Sequence, residues 1–431
     1  MSSELLSFSE ASAVVAAHAA GLKPLGTERV ALADAHGCVL AEVIRADRDQ
    51  PPFSRSTRDG YACRADEANG YGALRLAGAT RAGEAAAGSL PAGAAWEIMT
   101  GAPVPEGADA VMMLEHVEAG EGSARLLPPR TIRAGENIVG RGAQGREGDE
   151  LLAAGAEIGF AQIALAASCG MTGLEVFRRP RVAILSTGDE IVPIEAEPGP
   201  AQIRNSNGAM LAALVRDAGG EPWILPAAAD NAEALETAFR KAAEADLMVI
   251  SGGVSAGKFD LVEPVMKSLG ARFHFTGVKI QPGKPLVFGE LTASAAEGQE
   301  TLSTADRETG GTAKCWFGLP GNPVSSAVTF LLFAAPVLRA LAGCRECGPR
   351  FALAVLAADV KGKAGLTRFL PASCDFAAPG GELPAVRRVE WQGSGDLTAM
   401  AHANCYVVIP EDAAGLNAGQ IVRILLSWGS R

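Results

Sequence analysis

Two rhythms of apolar and polar residues divide the chain. Between Val182 and Leu319 short apolar runs alternate with segments of helical period, while elsewhere apolar runs recur roughly every ten residues between glycines and prolines. The first rhythm predicts a mostly parallel, doubly wound α/β sheet with helices on both faces. In that stretch Val182–Leu185, Pro222–Leu225, Leu247–Ile250, Phe273–Val278 and Cys315–Leu319 read as strands. Asn205-Ser206-Asn207 caps a helix to Asp217, with Met210, Leu211, Leu214 and Val215 on one face and Gly219-Gly220 as its stop. Asp230 reads as the cap of the next helix, with Glu233 three residues on as its capping-box partner, and Leu261–Leu269 is a further helix.

The second rhythm predicts β-rich domains. Residues 9–20 open as a helix capped by Ser9 and stopped at Gly21, and Val30–Val43 reads as a short helix turning at Gly37 into a strand. Pro51–Ala62 is an irregular loop presenting Asp59 before the Gly60 turn. Ala73 to about Asp149 is a small β domain in which Thr100, by itself, reads as a hydrogen-bonded turn residue at a strand end. Leu291–Lys314, rich in Ala, Thr, Ser, Glu and Gly, breaks the α/β rhythm as a surface excursion. After Gly348 the chain reads as a β-barrel-like domain with strands at Val386–Trp391 and Cys405–Ile409.

The chemistry gathers around Ser251–Asp260, which follows the strand Leu247–Ile250 at the end where open α/β sheets bind ligands. Glycines there allow close backbone approach, successive N–H groups can form an anion nest, and Ser251, Ser255 and Lys258 add donors. Gly252, four residues, Gly257 and Lys258 nearly spell a P-loop. The hydroxyl that would bind Mg²⁺ is replaced by Phe259, which excludes an ATPase loop. Glu190, Asp230 and Asp260 fall just past successive strand ends, with Asp189 beside the first. Taken singly each acid is a cap or a surface charge; together at one rim they repel unless a hard cation such as Mg²⁺ joins them. Lys284, flanked by prolines, and the helix start at Asn322-Pro323 offer further anion sites on the same rim.

With 431 residues the chain needs several domains, and a net charge of −11 argues against nucleic acid or an anionic membrane as partner. Val324–Leu338 is too short to span a bilayer and contains Pro336, so it reads as a buried helix. The start, Met-Ser-Ser-Glu-Leu-Leu, shows no export signal, and eight cysteines then suggest free thiols in the cytoplasm; Cys344-x-x-Cys347 lacks the second pair of a zinc site.

Seven ordered motifs closely resemble the MoeA family of molybdopterin molybdenumtransferases. They are Asp59-Gly-Tyr-Ala, Thr100 to Asp109, Gly135-Glu-Asn-Ile138, Ser186-Thr-Gly-Asp-Glu190, Gly253 to Asp260, Pro282-Gly-Lys-Pro285 and Leu319 to Ser325, with a weaker match at Gly393-Ser394-Gly395. The resemblance implies a split N-terminal domain (1–46 and 146–179), an inserted β domain (47–145), a molybdopterin-binding α/β domain (180–346) and a C-terminal β domain (347–431). It implies an elongated homodimer that inserts molybdate into adenylylated molybdopterin with Mg²⁺, giving the cofactor and AMP. Molybdopterin adenylyltransferase and molybdoenzyme chaperones would be its protein partners. By position, Asp59, Thr100, Glu190, Asp230 and Asp260 match residues of catalysis or metal holding, the last three as metal ligands. Ser186, Thr187, Gly188, Gly252, Gly253, Ser255, Lys258, Pro282, Lys284, Pro285, Pro320, Asn322, Pro323 and Ser394 match substrate-binding positions. Asp59 and Thr100 are expected to act across the dimer interface. Two departures stand out: uncharged Gln144 lies where the family commonly has an acid, and Thr57-Arg58 puts a positive charge beside Asp59, expected to pair with it. Alternative functions are a non-catalytic molybdopterin-binding scaffold, whose long linkers this chain lacks, and adenylyl transfer to molybdopterin, whose enzymes share the α/β domain.

Overall fold

Leu247–Ser251 is buried at every position, and its side chains alternate between two separate cores, Leu247 and Val249 on one face, Met248 and Ile250 on the other. Only a strand covered on both faces needs apolar residues throughout. The same alternation recurs at Val182 and Ile184 against Ala183 and Leu185, and at Phe317 against Trp316. A computed structural model describes residues 5–70, 72–84, 88–254, 260–291, 313–362, 364–376 and 383–427. Its central sheet has six strands in the order Glu221–Ile224, Arg181–Ser186, Leu247–Ser251, Lys314–Leu319, Val287–Leu291, Arg272–Thr276. The first four run parallel and the last two are antiparallel additions. Leu211 and Val215 of the Ser206–Asp217 helix, Val15 of the Phe8–Gly21 helix and the buried Pro323–Leu341 helix cover one face. Phe239 of Ala232–Ala242 and Met266 of Val262–Ser268 cover the other.

Two helix starts differ from expectation. The first helix is Phe8–Gly21, capped by Ser7: its hydroxyl accepts from Glu10 N at 3.2 Å while the Glu10 carboxylate accepts from Ser7 N at 2.8 Å. Ser9 has no acid three residues on and cannot close such a reciprocal box. Asp230 likewise caps nothing. Asn231 is the cap, accepting from Ala234 N at 2.9 Å, so the Asp230 carboxylate is left to face its neighbours.

Pro323–Leu341 is apolar and long enough to cross a membrane, yet the whole of its apolar window is buried inside the protein. Pro336 lies just past a π-helical turn at Phe330–Ala334, a local rewinding suited to a residue with no N–H to donate. The β-rich region is a six-stranded sheet ordered Ala110–Met113, Gly60–Cys63, Ala94–Ile98, Leu74–Thr80, Ser123–Leu126, Val117–Gly120. On either side of it, Thr27–Ala31 pairs with Gly173–Phe177 and Ile44–Arg45 with Glu150–Leu152. In the C-terminal region Thr367–Cys374, Ala385–Arg388, Phe351–Leu356, Ile421–Leu426 and Cys405–Ile409 close into a barrel, because the last pairs back onto the first. Leu291 pairs with Lys314, and the interior of the expected excursion, 292–312, lies outside the described residues.

Phe288 and Phe317 stack at the centre of the sheet, ring centroids 4.5 Å apart and 10° from parallel, both fully buried. Phe317→Ala should therefore cost about 3–5 kcal/mol, read as a lower urea midpoint by fluorescence of the adjacent buried Trp316. A loss below about 1 kcal/mol would show that the core closes over the gap.

Candidate functional site

Lateral register sets the site. Ser186, Ser251 and Leu319 are Cα partners across the parallel strands, so the chain leaves all three strands at one level. The strand Arg181–Ser186 precedes Glu221–Ile224 in the chain, while Leu247–Ser251 lies on its other side. That reversal is the switch point where such sheets hold ligands. A cavity of about 830 Å³ opens there, walled by Ser186 to Gly188, Glu190, Asn205 to Asn207, Asp230, Ser251 to Val254, Asp260, Pro285 and Pro320 to Pro323, with Gly395 and Leu397 from the C-terminal region. Its size suits a ligand of cofactor scale.

The floor is a glycine cradle. Gly252 has φ +97°, and a Cβ there would stand 2.7 Å from Thr187 O; Gly253, at φ +64°, would meet the Thr187 hydroxyl at 2.9 Å. Substitution of either closes the space against backbone or buried side chain. Beside the cradle two buried polar atoms lack partners: Thr187 Oγ1 and Asn207 Oδ1. Asn207 Nδ2 donates to Ser251 Oγ at 2.9 Å and to Gly321 O at 2.6 Å, which fixes the amide and turns its free oxygen toward the cavity side. Unpaired buried groups carry a desolvation cost, which a ligand that supplied partners would remove. Asn322 starts the buried helix, and its Nδ2 donates to Ser394 Oγ at 2.9 Å, tying the C-terminal region to the rim.

Glu190, Asp230 and Asp260 all face this cavity. Burial, then the charges of Asp189 and Glu190, push the Asp230 carboxyl above the usual carboxylate range; a hydrogen bond from the Asp189 backbone offsets this in part, and Asp260 adds to the rise. Among the described residues no three of these acids bring their oxygens within 4.8 Å of one another. They ring the cavity apart from one another, as like charges do. Hard oxygen donors around a field that already disfavours ionisation fit a Mg²⁺-class cation. Arg204 is the only cationic side chain among the described wall residues.

Other expected positions lie elsewhere. Pro282 is buried and Lys284 exposed, and neither is part of the cavity wall; Ser255 and Lys258 lie outside the described residues. Asp59 and Thr100 form an exposed pair on the inserted sheet: Thr100 donates its N–H at 2.6 Å and its hydroxyl at 2.9 Å to Asp59 Oδ1, which together hold that carboxyl below its usual range. Thr100 is thus a hydrogen-bonded turn residue whose acceptor is the predicted acid. Arg58 makes no salt bridge to Asp59: the carboxylate turns to Thr100 instead, and Gly60 behind it could carry no Cβ, which would lie 1.9 Å from Met112 O. Arg141 pairs instead with Asp49 at 2.6 Å, and Gln144 is exposed. Sequence reasoning read Asn205 and Asn207 only as cap residues and passed over Arg204. Two asparagines flanking a serine immediately before a helix at a strand end were the available signal.

Family models match along the chain: "MoeA N-terminal region (domain I and II)" over residues 6–170, "Probable molybdopterin binding domain" over 183–340 and "MoeA C-terminal region (domain IV)" over 353–427. A molybdopterin molybdenumtransferase of Bacillus subtilis is 33% identical over 408 residues, 93% of this chain and 90% of that one. One from Nostoc sp. is 33% identical over 413 residues, 93% and 88% of the two chains. Among solved structures, a molybdopterin biosynthesis moeA protein from Pyrococcus horikoshii superposes with a TM-score of 0.75 at 26% identity, covering 98% of this chain and all of that one. A second molybdopterin biosynthesis moea protein structure, also from Pyrococcus horikoshii, gives a TM-score of 0.69 at 32% identity over 99% and 100% of the chains.

The raised Asp230 carboxyl has a stability consequence. The folded protein holds this proton to higher pH than the unfolded chain, so ionised Asp230 lowers stability above its folded value, and the loss is relieved as pH falls through that value. Asp230→Asn should stabilise the folded protein slightly at neutral pH, read as a higher urea midpoint, with the gain vanishing in acid. An unchanged or lower midpoint would mean that the repulsion is already compensated. For the second pair, Thr100→Val removes the hydroxyl but keeps the backbone donor, so the Asp59 carboxyl should rise part of the way toward its usual range in an NMR titration, and an unmoved titration would reject the hydroxyl's share.

Proposed function

The chain belongs to the MoeA family, and from that membership we infer that it is a transferase of molybdenum cofactor biosynthesis that inserts molybdenum into molybdopterin. We assign it adenylylated molybdopterin and molybdate as substrates, with AMP released and Mg²⁺ as the resident ion. The observation that carries this is the union, in one cavity, of a glycine cradle with an unpartnered buried Thr187 hydroxyl and a ring of three acids. A phosphate-bearing ligand needs the first, and the second makes sense only beside a cation.

In this reading Glu190, Asp230 and Asp260 hold Mg²⁺, which when bound offsets the charge of phosphate and molybdate oxygens. The chain's own groups do the positioning. The backbone at Gly252 and Gly253 and the hydroxyl of Thr187 receive the ligand's anionic group, with Ser251 Oγ fixed beside them by Asn207. At the helix start after Asn322, Pro323 has no N–H and Val324 N–H donates to Ser394 O at 3.0 Å, so what this end offers an anion is the positive end of the helix dipole. Asp59 and Thr100, exposed and outside this cavity in one chain, complete the site from a second copy in a homodimer. The protein works in the cytoplasm, a compartment in which its eight free thiols stay reduced.

Purified full-length protein given adenylylated molybdopterin, molybdate and Mg²⁺ should yield molybdenum cofactor and AMP, and with ATP and unmodified molybdopterin it should yield no adenylylated product. Asp260→Asn should slow insertion about 10²–10³-fold at limiting Mg²⁺, with partial recovery at high Mg²⁺. Unchanged insertion would remove Asp260 from the ion. Mixing Asp59→Asn with Asp260→Asn protein should restore up to about a quarter of the activity through hybrid dimers with one intact site; no recovery on confirmed subunit exchange would place Asp59 in its own subunit's site.

A further inference from the structure

A second group of polar side chains sits at the far end of the same sheet and shares no residue with the cavity. Cys315 is the second residue of the strand Lys314–Leu319, whose last residue borders the cavity floor, so the two groups are about 13 Å apart along the strand. Glu290 is the Cα partner of Cys315 on the neighbouring strand, which puts both side chains on one face. His274 reaches that face through a bulge. Pairing of Arg272–Thr276 with Val287–Leu291 slips between Phe273 and Phe275, leaving His274 as the extra residue. Phe273 therefore packs edge-on to Trp316 on one face while His274 and Phe275 both lie against Phe288 on the other. Bulges re-aim side chains in this way. His18, in the last turn of Phe8–Gly21, closes the group from above.

The distances are those of a ligand set. His18 Nε2 is 3.0 Å from Cys315 Sγ and 3.6 Å from Glu290 Oε1, and His274 Nε2 is 3.2 Å from Glu290 Oε2. One ligand atom each from His18, His274 and Glu290 lie within 4.8 Å of one another; Cys315 Sγ lies beside His18 but outside that triangle, and enters it as a fourth donor on movement of its side chain. Tetrahedral bonds of about 2.0–2.3 Å to N, O and S would set their donor atoms roughly 3.3–3.8 Å apart. His274 Nε2 is buried and makes no hydrogen bond despite its proximity to Glu290. A hydrogen-bonded cluster would have spent that nitrogen, whereas a cation between the two would use it. Two imidazoles, a thiol and a carboxylate form a donor set for borderline-soft metals and one poorly suited to Mg²⁺.

We propose that His18 Nε2, His274 Nε2, the Glu290 carboxylate and the Cys315 sulfur bind a divalent transition-metal ion of the Zn²⁺ class, which pins the N-terminal helix to the sheet edge. Burial holds His18 toward its neutral form, opposed by Glu290 and reinforced by His274 and Arg272, and neutral imidazole is the ligating form. Burial, then Glu290, pushes the Cys315 thiol up to about 12, so the metal must displace its proton to solvent, and binding weakens as pH falls. With the Cys315 sulfur drawn in, all four donors come from the protein and no coordination position is left open, so the site is structural.

Cobalt(II) titration of the metal-free full chain tests this. A single equivalent should give a thiolate-to-cobalt charge-transfer band with strong tetrahedral visible absorption, bleached by Zn²⁺, and Zn²⁺ should raise the melting temperature. Cys315→Ser should abolish the charge-transfer band and weaken binding at least ~100-fold, beyond what loss of an outer-shell partner costs. Because Cys315 is buried, His18→Gln at its part-exposed position provides a second variant, expected to weaken binding comparably while the circular dichroism stays native. The band should survive Cys344→Ser, Cys347→Ser and Asp260→Asn. Absence of the band, its survival in Cys315→Ser, or its loss in a Cys344 or Cys347 variant would overturn the assignment.

Discussion

Everything at the candidate site follows from the lateral register of three parallel strands. Because Ser186, Ser251 and Leu319 stand opposite one another, the turns after them open at one height and their side chains converge on one cavity. A single-residue slip would have exchanged the faces as well as the height, moving Val249 or Met248 into the wrong core. The two-core packing of the sheet thus specifies the site indirectly: the alternation that buries Leu247, Val249, Met248 and Ile250 is what holds Ser251 and Gly252 in place.

The cavity gives up stability for chemistry. Asp230 is left uncapping, and its burial, together with the like charges of Asp189, Glu190 and Asp260, pushes its carboxyl toward the neutral form. Thr187 and Asn207 bury oxygens with nothing to bond, and Gly252 and Gly253 occupy backbone conformations that other residues resist. Each feature is unfavourable in the free protein and each is removed by one kind of ligand, an anion that brings a hard cation with it. Asp59 shows the opposite economy, because two hydrogen bonds from Thr100 keep it ionised and oriented before anything binds.

The central fold was legible because burial on both faces forces continuous apolar runs, and nothing local competes with that signal. The strand at Leu247, the helix ending at Asp217 and the barrel strand Cys405–Ile409 all stand where the pattern puts them. What misled were choices between adjacent equivalents. Ser7 and Ser9, or Asp230 and Asn231, are equally good caps by residue type, and only the reciprocal bond from Glu10 in one case and the reach of Asn231 to Ala234 in the other decide between them. Misreading Asp230 as a cap obscured its freedom to join the rim, although position alone had already placed it there. The antiparallel edge and its bulge at His274 were illegible for a different reason: a one-residue slip between partners leaves no trace in the hydrophobic period of either strand.

Charge balance gives the last constraint on what the cavity accepts. Among the described wall residues three acids face one arginine, and Arg204 already donates through Nε to Ala196 O. An anion approaching alone would meet repulsion from Glu190, Asp230 and Asp260 that the neutral glycine cradle and one helix start cannot outweigh, since each helix terminus contributes only about half a charge. A cation alone would satisfy the acids and could use the Asn207 oxygen, but would leave the cradle and the Thr187 hydroxyl unused. Only a ligand of both signs, an anionic group carried with its counter-ion, uses every feature of the wall at once.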